Sequence, residues 1–177
     1  RRLAKEIENN KNHLGGLILG QVHLEGADFS GADMHGAFLK KANLSGADLR
    51  GANLIAAELG SVNLSHVNLM NAKLLKANLN GTILKSANLV DVVGLTCNQI
   101  LSAVIDEKTR LPDYILWEES SDSEFQCRNL HDGKGLNFSK INLSNANLTS
   151  ANLRESDLSH ANFQNANLTS ADLRGAD

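Results

Sequence analysis

Six histidines, two cysteines and a few charged clusters are the side chains of this 177-residue sequence that could carry out chemistry. Histidines that converge in space can bind a metal ion, and the chain contains His13, His23, His35, His66, His131 and His160. No His-Glu-x-x-His motif, Cys-x-x-Cys pair or calcium-binding loop is present. We therefore interpret the histidines as surface residues, and we expect neither a bound metal nor a cofactor.

Two other segments contain groups that catalytic sites use. Gly133-Lys134-Gly135 lacks the strand and helix that flank a phosphate-binding loop. Glu118 and Glu119 are adjacent in an acidic, serine-rich stretch, with no nucleophile or base beside them. The sequence therefore predicts a protein that is not an enzyme.

The two cysteines, Cys97 and Cys127, leave two alternatives open. They can form a disulfide in an oxidising compartment, or they can remain reduced thiols. Two cysteines are too few to define a disulfide framework, so both alternatives are kept.

A repeat of five residues positions four of the six histidines and organises most of the chain. Ala27-Asp28-Phe29-Ser30-Gly31 is followed directly by Ala32-Asp33-Met34-His35-Gly36. We call the large apolar residue of each unit its centre; a small residue lies two positions before it. A helix turns about 100° per residue and would spread these centres over every face, and a strand would alternate them between two faces. A coil that turns a corner after each unit directs both the centre and the small residue inward.

The pattern of a small residue, Asp or Asn, and then Leu or Phe resembles the pentapeptide-repeat family. This resemblance implies an all-β fold, a right-handed quadrilateral β-helix with four units per coil. Coils would then be hydrogen-bonded about 4.8 Å apart, like neighbouring strands. Residues twenty apart would share a wall, as Phe29, Leu49, Leu69 and Leu89 would on one wall and Met34, Leu54 and Leu74 on the next.

We predict four segments from where the repeat starts and stops. They are a short helical cap over 1–13, a first array of about four coils over 14–92, a partly helical insertion over 93–135, and a second array of about two coils over 136–177. In the insertion, Thr96 and Gln99 have capping-box spacing, which predicts a helix from Cys97 to about Ile105. Pro112 predicts a second short helix ending at Trp117, and 118–124 is expected to be a loop. The simplest arrangement stacks the second array directly on the first, with the insertion protruding.

Apolar residues replace the usual polar ones at several outward positions, and these are the candidate protein-contact residues. They are Ile55 and Leu75, stacked after their centres; Met70 and Val90, stacked likewise on the preceding wall; Ile83, in place of the usual Asn; and Tyr114 and Trp117 in the insertion. A contiguous apolar patch usually marks a contact. Either a partner protein covers it, or the insertion does, with Tyr114, Ile115 and Trp117 folded onto Ile55 and Leu75. We favour the second interpretation.

The net charge of −3 limits the partners. It argues against a nucleic-acid-binding surface, which should be basic, and against a strongly acidic mimic of nucleic acid. The longest apolar run is much shorter than a membrane span. The chain begins without Met and shows no secretory signal, so its location stays open: cytoplasm or, if a signal was removed, periplasm or thylakoid lumen.

These observations predict a non-catalytic scaffold that presents rigid β-helix faces to another protein. An open last coil would also allow end-to-end self-association. The alternative comes from the resemblance, because quinolone-resistance and toxin-immunity members resemble a DNA duplex and bind DNA gyrase. The present chain departs from that type, since Asn outnumbers Asp in the polar column and lysines are scattered over the first array.

Overall fold

The computed structural model describes residues 2–119, 125–129 and 135–177. Its regular elements are α1 (Arg2–Asn9), a 3-10 helix (Lys11–His13), α2 (Cys97–Ser102), β1 (Ile115–Glu119) and β2 (Phe125–Asn129). The first array lies between the 3-10 helix and α2, and the second array follows β2.

Each five-residue unit joins its neighbouring coils through a single β-bridge. Bridged residues are twenty apart, as in the series Asp28, Asp48, Asn68 and Asn88. The amide of Leu49 donates to the carbonyl of Asn68 at 2.8 Å, and the amide of Asn68 donates back to Ala47 at 3.1 Å. This ladder puts Leu49 and Leu69 on the same wall, as the four-unit coil implied by the resemblance predicts.

The centres and the small residues fill the interior. Leu49 is 1% exposed, while Leu54 and Ala52 are fully buried. Burial of each Leu stabilises the fold by roughly 1.5–3 kcal/mol. Because the corners are closed by short backbone bonds, such as that from the amide of Ala52 to the carbonyl of Leu49 at 3.1 Å, the small residues have no room to be larger.

The corners need a left-handed backbone two residues after each centre. Gly31 and Gly46 adopt φ of 65° and 68°, as expected of glycine, and Asn71 adopts φ of 60°. The polar residue before each centre supports the same corner, since Asn43 Oδ1 accepts the amide of Ser45 at 3.1 Å.

The helix α1 fits the expected cap of the first array. Ile7 is buried in the core of that array. The carboxylate of Glu8 accepts the amide of Asp28 at 2.8 Å, and the carbonyl of Lys11 accepts the amide of Asp33 at 2.9 Å. The cap therefore supplies acceptors that a preceding coil would otherwise provide.

The insertion covers the other end of the first array and extends its ladder. The helix α2 has the capping box of Thr96 and Gln99, but it ends at Ser102 rather than Ile105. It ends there because Val104 joins the ladder by pairing with Ile83, as Arg110 does with Asn88.

The helix predicted after Pro112 is wrong. The chain turns at residues 113 and 114 and then forms β1, which pairs antiparallel with β2 from Ile115↔Asn129 to Glu119↔Phe125. A segment of this length makes too few helical hydrogen bonds to be stable alone, whereas β2 offers it a ladder. The loop expected over 118–124 is wrong at Glu118 and Glu119, which belong to β1. Residues 120–124 lie outside the described residues.

The second array does not stack on the first. Its bridges, from Asn137↔Asp157 to Asn152↔Asp172, are internal. Its Phe138 and Leu143 form a second buried cluster with Ile55 and Leu75 of the first array. The last coil of the first array is instead covered by the insertion, since Ile100 and Ile115 belong to the same core as Leu89.

Candidate interaction surface

The second array packs against one wall of the first array, which we call the docking wall: the units centred on Met34, Leu54 and Leu74. After these centres, twenty residues apart, come His35, Ile55 and Leu75. Ile55 is fully buried and Leu75 is 7% exposed, both beneath the second array. The apolar corner is thus covered by the chain itself, mainly by the second array. The start of the insertion adds Val93, which packs against the same cluster, and Gly94, which lies against Leu75.

The predicted contact of Tyr114 and Ile115 with this corner is wrong. Tyr114 and Ile115 pack in the core at the end of the first array. The Tyr114 hydroxyl donates to the carbonyl of Val92 at 2.7 Å and accepts the amide of Leu95 at 3.2 Å. Burial raises the pKa of Tyr114 to about 12. The side chain of Trp117 lies outside the described residues.

Side chains of the docking wall satisfy the open edge of the second array. In the first array, the backbone carbonyl after a centre accepts an amide of the preceding coil. For example, the carbonyl of Ile55 accepts the amide of Gly36 at 2.9 Å. Among the described residues, no coil of the second array precedes Asn142 and Ser144. Instead, Asn53 Nδ2 donates to the Asn142 carbonyl at 2.8 Å, and His35 Nε2 lies 2.7 Å from the Ser144 carbonyl.

His35 also contacts a carboxylate, with its Nδ1 2.7 Å from Asp33 Oδ1. The hydrogen bond with Asp33 raises the pKa of His35 and outweighs the opposing effect of burial. Burial disfavours the charged form of Asp33, but its hydrogen bonds with His35 and Asn142 still hold its pKa below the usual value. Asn142 Nδ2 donates to Asp33 Oδ2 at 2.9 Å, so this ion pair is bonded to both arrays.

Sequence reasoning placed His35 on the surface, whereas the structure buries it to 6% exposure. A Cβ on Gly15 would collide with the imidazole, so the glycine leaves space for the ring. The sequence contained one indication that His35 is buried. His35 precedes Ile55 by twenty residues and therefore lies in the same column as Ile55 and Leu75. Its partner, the carbonyl of Ser144, has no signature in the sequence.

The remaining candidate contact residues are partly accessible. Met70, Ile83 and Val90 are half-buried. Val104, the bridge partner of Ile83, is 42% exposed.

Cys97 and Cys127 are joined by a disulfide that ties α2 to β2, with their Cα atoms 5.5 Å apart.

A more exposed apolar surface lies near the start of the first array and was missed by sequence reasoning. We call it the amino-terminal patch: Leu17, Ile18 and Phe38. Ile18 is 84% exposed and Phe38 is 50% exposed, and a β-bridge pairs them on neighbouring coils. The column continues with polar Glu58 and Asn78. The available signal was an apolar residue at the position where most units carry Asn or Asp.

The patch borders the junction between the arrays. A cleft of about 460 Å³ is lined there by Phe38, Glu58 and His35 from the first array and by Ser144 and Asn145 from the second. In the described part of the chain, no three His, Cys, Asp or Glu residues are grouped as a metal site would require. Nor does any helix in residues 2–119, 125–129 and 135–177 have the length and apolar character needed to cross a bilayer.

The last coil of the second array is less covered than the coil before it. Leu173 is 40% exposed, whereas Leu153 is fully buried. Phe163 and Leu168 are half-buried. This coil therefore exposes part of its core at the end of the described chain.

Comparison with known proteins is consistent with the repeat. The model of the family described as pentapeptide repeats matches in eight copies, over residues 13–46, 47–85, 63–92 and 137–177. No curated protein matches the chain.

Solved structures with similarity to this chain include several pentapeptide-repeat proteins. One is Rfr23 from the cyanobacterium Cyanothece 51142, 35% identical over 53% of this chain, with a TM-score of 0.44. The chain spans 60% of the length of that protein. A protein from the thylakoid lumen of Arabidopsis thaliana is 24% identical over 62% of this chain and 72% of its own, with a TM-score of 0.47. The plasmid-mediated fluoroquinolone resistance protein QnrB1 is 17% identical over 94% of this chain and 67% of its own, with a TM-score of 0.29.

The family match covers both arrays and more than half of the chain. It agrees with the twenty-residue ladder and with the buried centres. The protein therefore belongs to the pentapeptide-repeat family, whose members fold as quadrilateral β-helices.

Proposed function

We propose that this protein is a non-catalytic scaffold that binds a protein partner through the amino-terminal patch. The observation that carries the proposal is the exposure of Ile18 and Phe38, side by side, at a column position that is polar in the next two coils. Exposed apolar side chains that adjoin one another usually mark a binding surface. Proteins of this family are generally structural and non-catalytic.

The backbone beneath the patch supports this role. The amide of Leu19 donates to the carbonyl of Phe38 at 2.7 Å, and the amide of Phe38 donates to the carbonyl of Leu17 at 2.8 Å. These bonds fix the patch before a partner arrives, so binding costs little ordering of the backbone. Glu58, next in the column, adds an acidic group beside Phe38. A partner with apolar side chains flanked by a basic residue fits this surface best.

The net charge of −3 disfavours nucleic acid as the partner, since phosphate binding needs clustered Lys and Arg. The same modest charge gives no support to a DNA-mimicking gyrase ligand, which needs a strongly acidic flank. Met70, Ile83 and Val90 remain secondary candidates for contact with the partner.

The proposal is tested with the double variant Ile18→Asn and Phe38→Asn. Asn is the commonest residue at this position of the repeat, so the variant should fold like the wild type. Ser45→Lys is the matched surface control. A protein captured from the native host by the wild type is purified and its binding is measured by calorimetry. We expect the double variant to lose at least about tenfold in affinity, or roughly 1.4 kcal/mol, while Ser45→Lys loses little. Unchanged binding by the double variant, or the absence of a directly binding protein, would refute the proposal.

We also propose that the protein works in an oxidising compartment. The pairing of Cys97 with Cys127 supports this, because disulfides persist mainly outside reducing cytosol. The protein is isolated from its host in the presence of an alkylating reagent, and its intact mass is measured. An unalkylated chain is expected, and two alkylated thiols would contradict the proposal.

A further inference from the structure

We infer that protonation of His35 holds the second array on the docking wall, so that docking weakens when the imidazole loses a proton. The contact is local in space but joins segments far apart in the chain. Its two acceptors are a carboxylate of the first array and a backbone carbonyl of the second.

The inference follows from the number of hydrogens that the geometry requires. Nδ1 of His35 is 2.7 Å from Asp33 Oδ1, and Nε2 is 2.7 Å from the Ser144 carbonyl. Neither an ionised carboxylate nor a carbonyl can donate. Both ring nitrogens must therefore donate, and only the imidazolium carries a proton on each. The Ser144 hydroxyl lies 3.5 Å from Nε2, at the limit of hydrogen bonding.

The charges around the ring favour the same form. Asp33 is the carboxylate in direct contact, and Glu58 lines the adjoining cleft. From the second array, Ser144, Asn145 and Asn147 line this cleft and carry no charge. The groups that face His35 thus comprise negative and neutral side chains, which stabilise a positive ring.

Loss of the proton affects the two contacts unequally. The remaining proton stays on Nδ1, because the carboxylate of Asp33 attracts it more strongly than a carbonyl does. Nε2 then turns a lone pair toward the Ser144 carbonyl, so that the 2.7 Å hydrogen bond between His35 and the second array is replaced by repulsion. The carbonyl of Ser144, whose contact with His35 is partly buried, loses this donor, which is unfavourable for docking.

The sign of the pH dependence follows from the directions of the two shifts. The pKa of His35 is raised, so its contribution is complete below the ordinary value of 6.5 and is lost as pH rises through the elevated value. The pKa of Asp33 is lowered, so its contribution is complete above the ordinary value of 3.8 and is lost at lower pH. Docking is therefore tightest between these two ordinary values.

A first experiment uses the unchanged full chain. The ¹⁵N chemical shifts of both ring nitrogens of His35 are followed by NMR from pH 5 to pH 9. We expect the imidazolium to give way to the neutral ring only above the ordinary value of 6.5, because the contact with Asp33 raises the pKa of His35. A neutral ring at pH 6 would overturn the inference, and this result does not depend on any variant folding.

A second experiment measures docking by hydrogen exchange of peptides from residues 136–155, corrected for the intrinsic effect of pH. In the wild type, we expect about tenfold weaker protection at pH 8.5 than at pH 5.5, the order of loss expected when a hydrogen bond from a charged donor is removed. His35→Gln should remove this difference, and the exposed His66 provides the control His66→Gln. Equal protection at both pH values in the wild type, or an unchanged difference in His35→Gln, would overturn the inference.

Gly15→Ala provides an independent test, because its added methyl group displaces the imidazole without changing any ionisable group. We expect its protection at pH 5.5 to fall to the wild-type level at pH 8.5. The control is Gly60→Ala, at the same position of another unit, where a Cβ has ordinary clearance of 3.7 Å from the nearest atom. Equal effects of the two alanines would contradict a specific role for the ring.

Discussion

Replacing Ile55 with Ser tests whether the docking wall holds the second array. Ile55 lies outside the core of the first array but is fully buried, because Phe138, Leu143 and the residues around them cover it. Serine is an ordinary residue at this position of the repeat, as Ser45 and Ser65 show. The first array itself should therefore tolerate the change.

The expected loss can be worked out from the contacts. Exposure of an isoleucine side chain forfeits roughly 1.5–3 kcal/mol, and incomplete collapse of the resulting cavity brings large-to-small changes of this kind to about 2–5 kcal/mol. The new hydroxyl should cost little, because Ser65 donates to Asn63 Oδ1 at 2.7 Å and Asn53 offers the same acceptor. We therefore expect Ile55→Ser to destabilise docking by about 2–4 kcal/mol.

The assay is denaturant unfolding together with hydrogen exchange, so that the loss can be assigned to one array. Met70→Ser is the matched control. Met70 has the same position in its unit as Ile55, and its amide donates to Asn68 Oδ1 at 3.2 Å. Unlike Ile55, it is only half-buried. We expect a loss below about 1 kcal/mol there, with exchange in the second array unchanged. Equal losses for the two variants, or protection of residues 136–155 that survives Ile55→Ser, would refute the lateral docking of the arrays.

Three further predictions concern the first array and its caps. Ala52→Leu should cost at least about 1–3 kcal/mol by overpacking the corner, whereas Ser45→Lys, on the outside, should change stability by less than about 0.5 kcal/mol; equal melting temperatures would contradict the inward assignment. Reduction of the Cys97–Cys127 disulfide, which closes a loop of sequence separation 30, should lower stability by about 3–4 kcal/mol in the chain-entropy estimate, and the stability of the reduced protein to denaturant measures this; no change would mean that the crosslink is not formed or not needed. The amide of Ser86, with smaller contributions from Thr109 and Lys108, lowers the pKa of Asp106 to about 2. The stabilising contribution of the ionised Asp106 is therefore complete above the ordinary value of 3.8 and is lost as pH falls through about 2. Asp106→Asn should lose less stability than the wild type between pH 4 and pH 2, and parallel acid unfolding curves would contradict this role.

The candidate site was predictable only in part. Ile55 and Leu75 stood out because they break a regular pattern, and the structure buries both of them. The sequence did not show that the second array buries these two residues. That array carries no feature that distinguishes stacking on the first array from packing against its side. The insertion decided this, because Leu95, Ile100 and Ile115 complete the core at the end of the first array and leave no open coil there.

The sequence by itself determined the path of the chain within each array. A five-residue period with a small residue two positions before each large one is buried by a coil that turns a corner after each unit. The resemblance to the pentapeptide-repeat family implies four units per coil, and the bridges between residues twenty apart agree with it. Tertiary structure alone decided how the two arrays meet. That contact depends on the imidazole of His35 meeting the carbonyl of Ser144 and on the side-chain amide of Asn53 meeting the carbonyl of Asn142. A backbone carbonyl is present in every residue, so no spacing in the chain can single these two out.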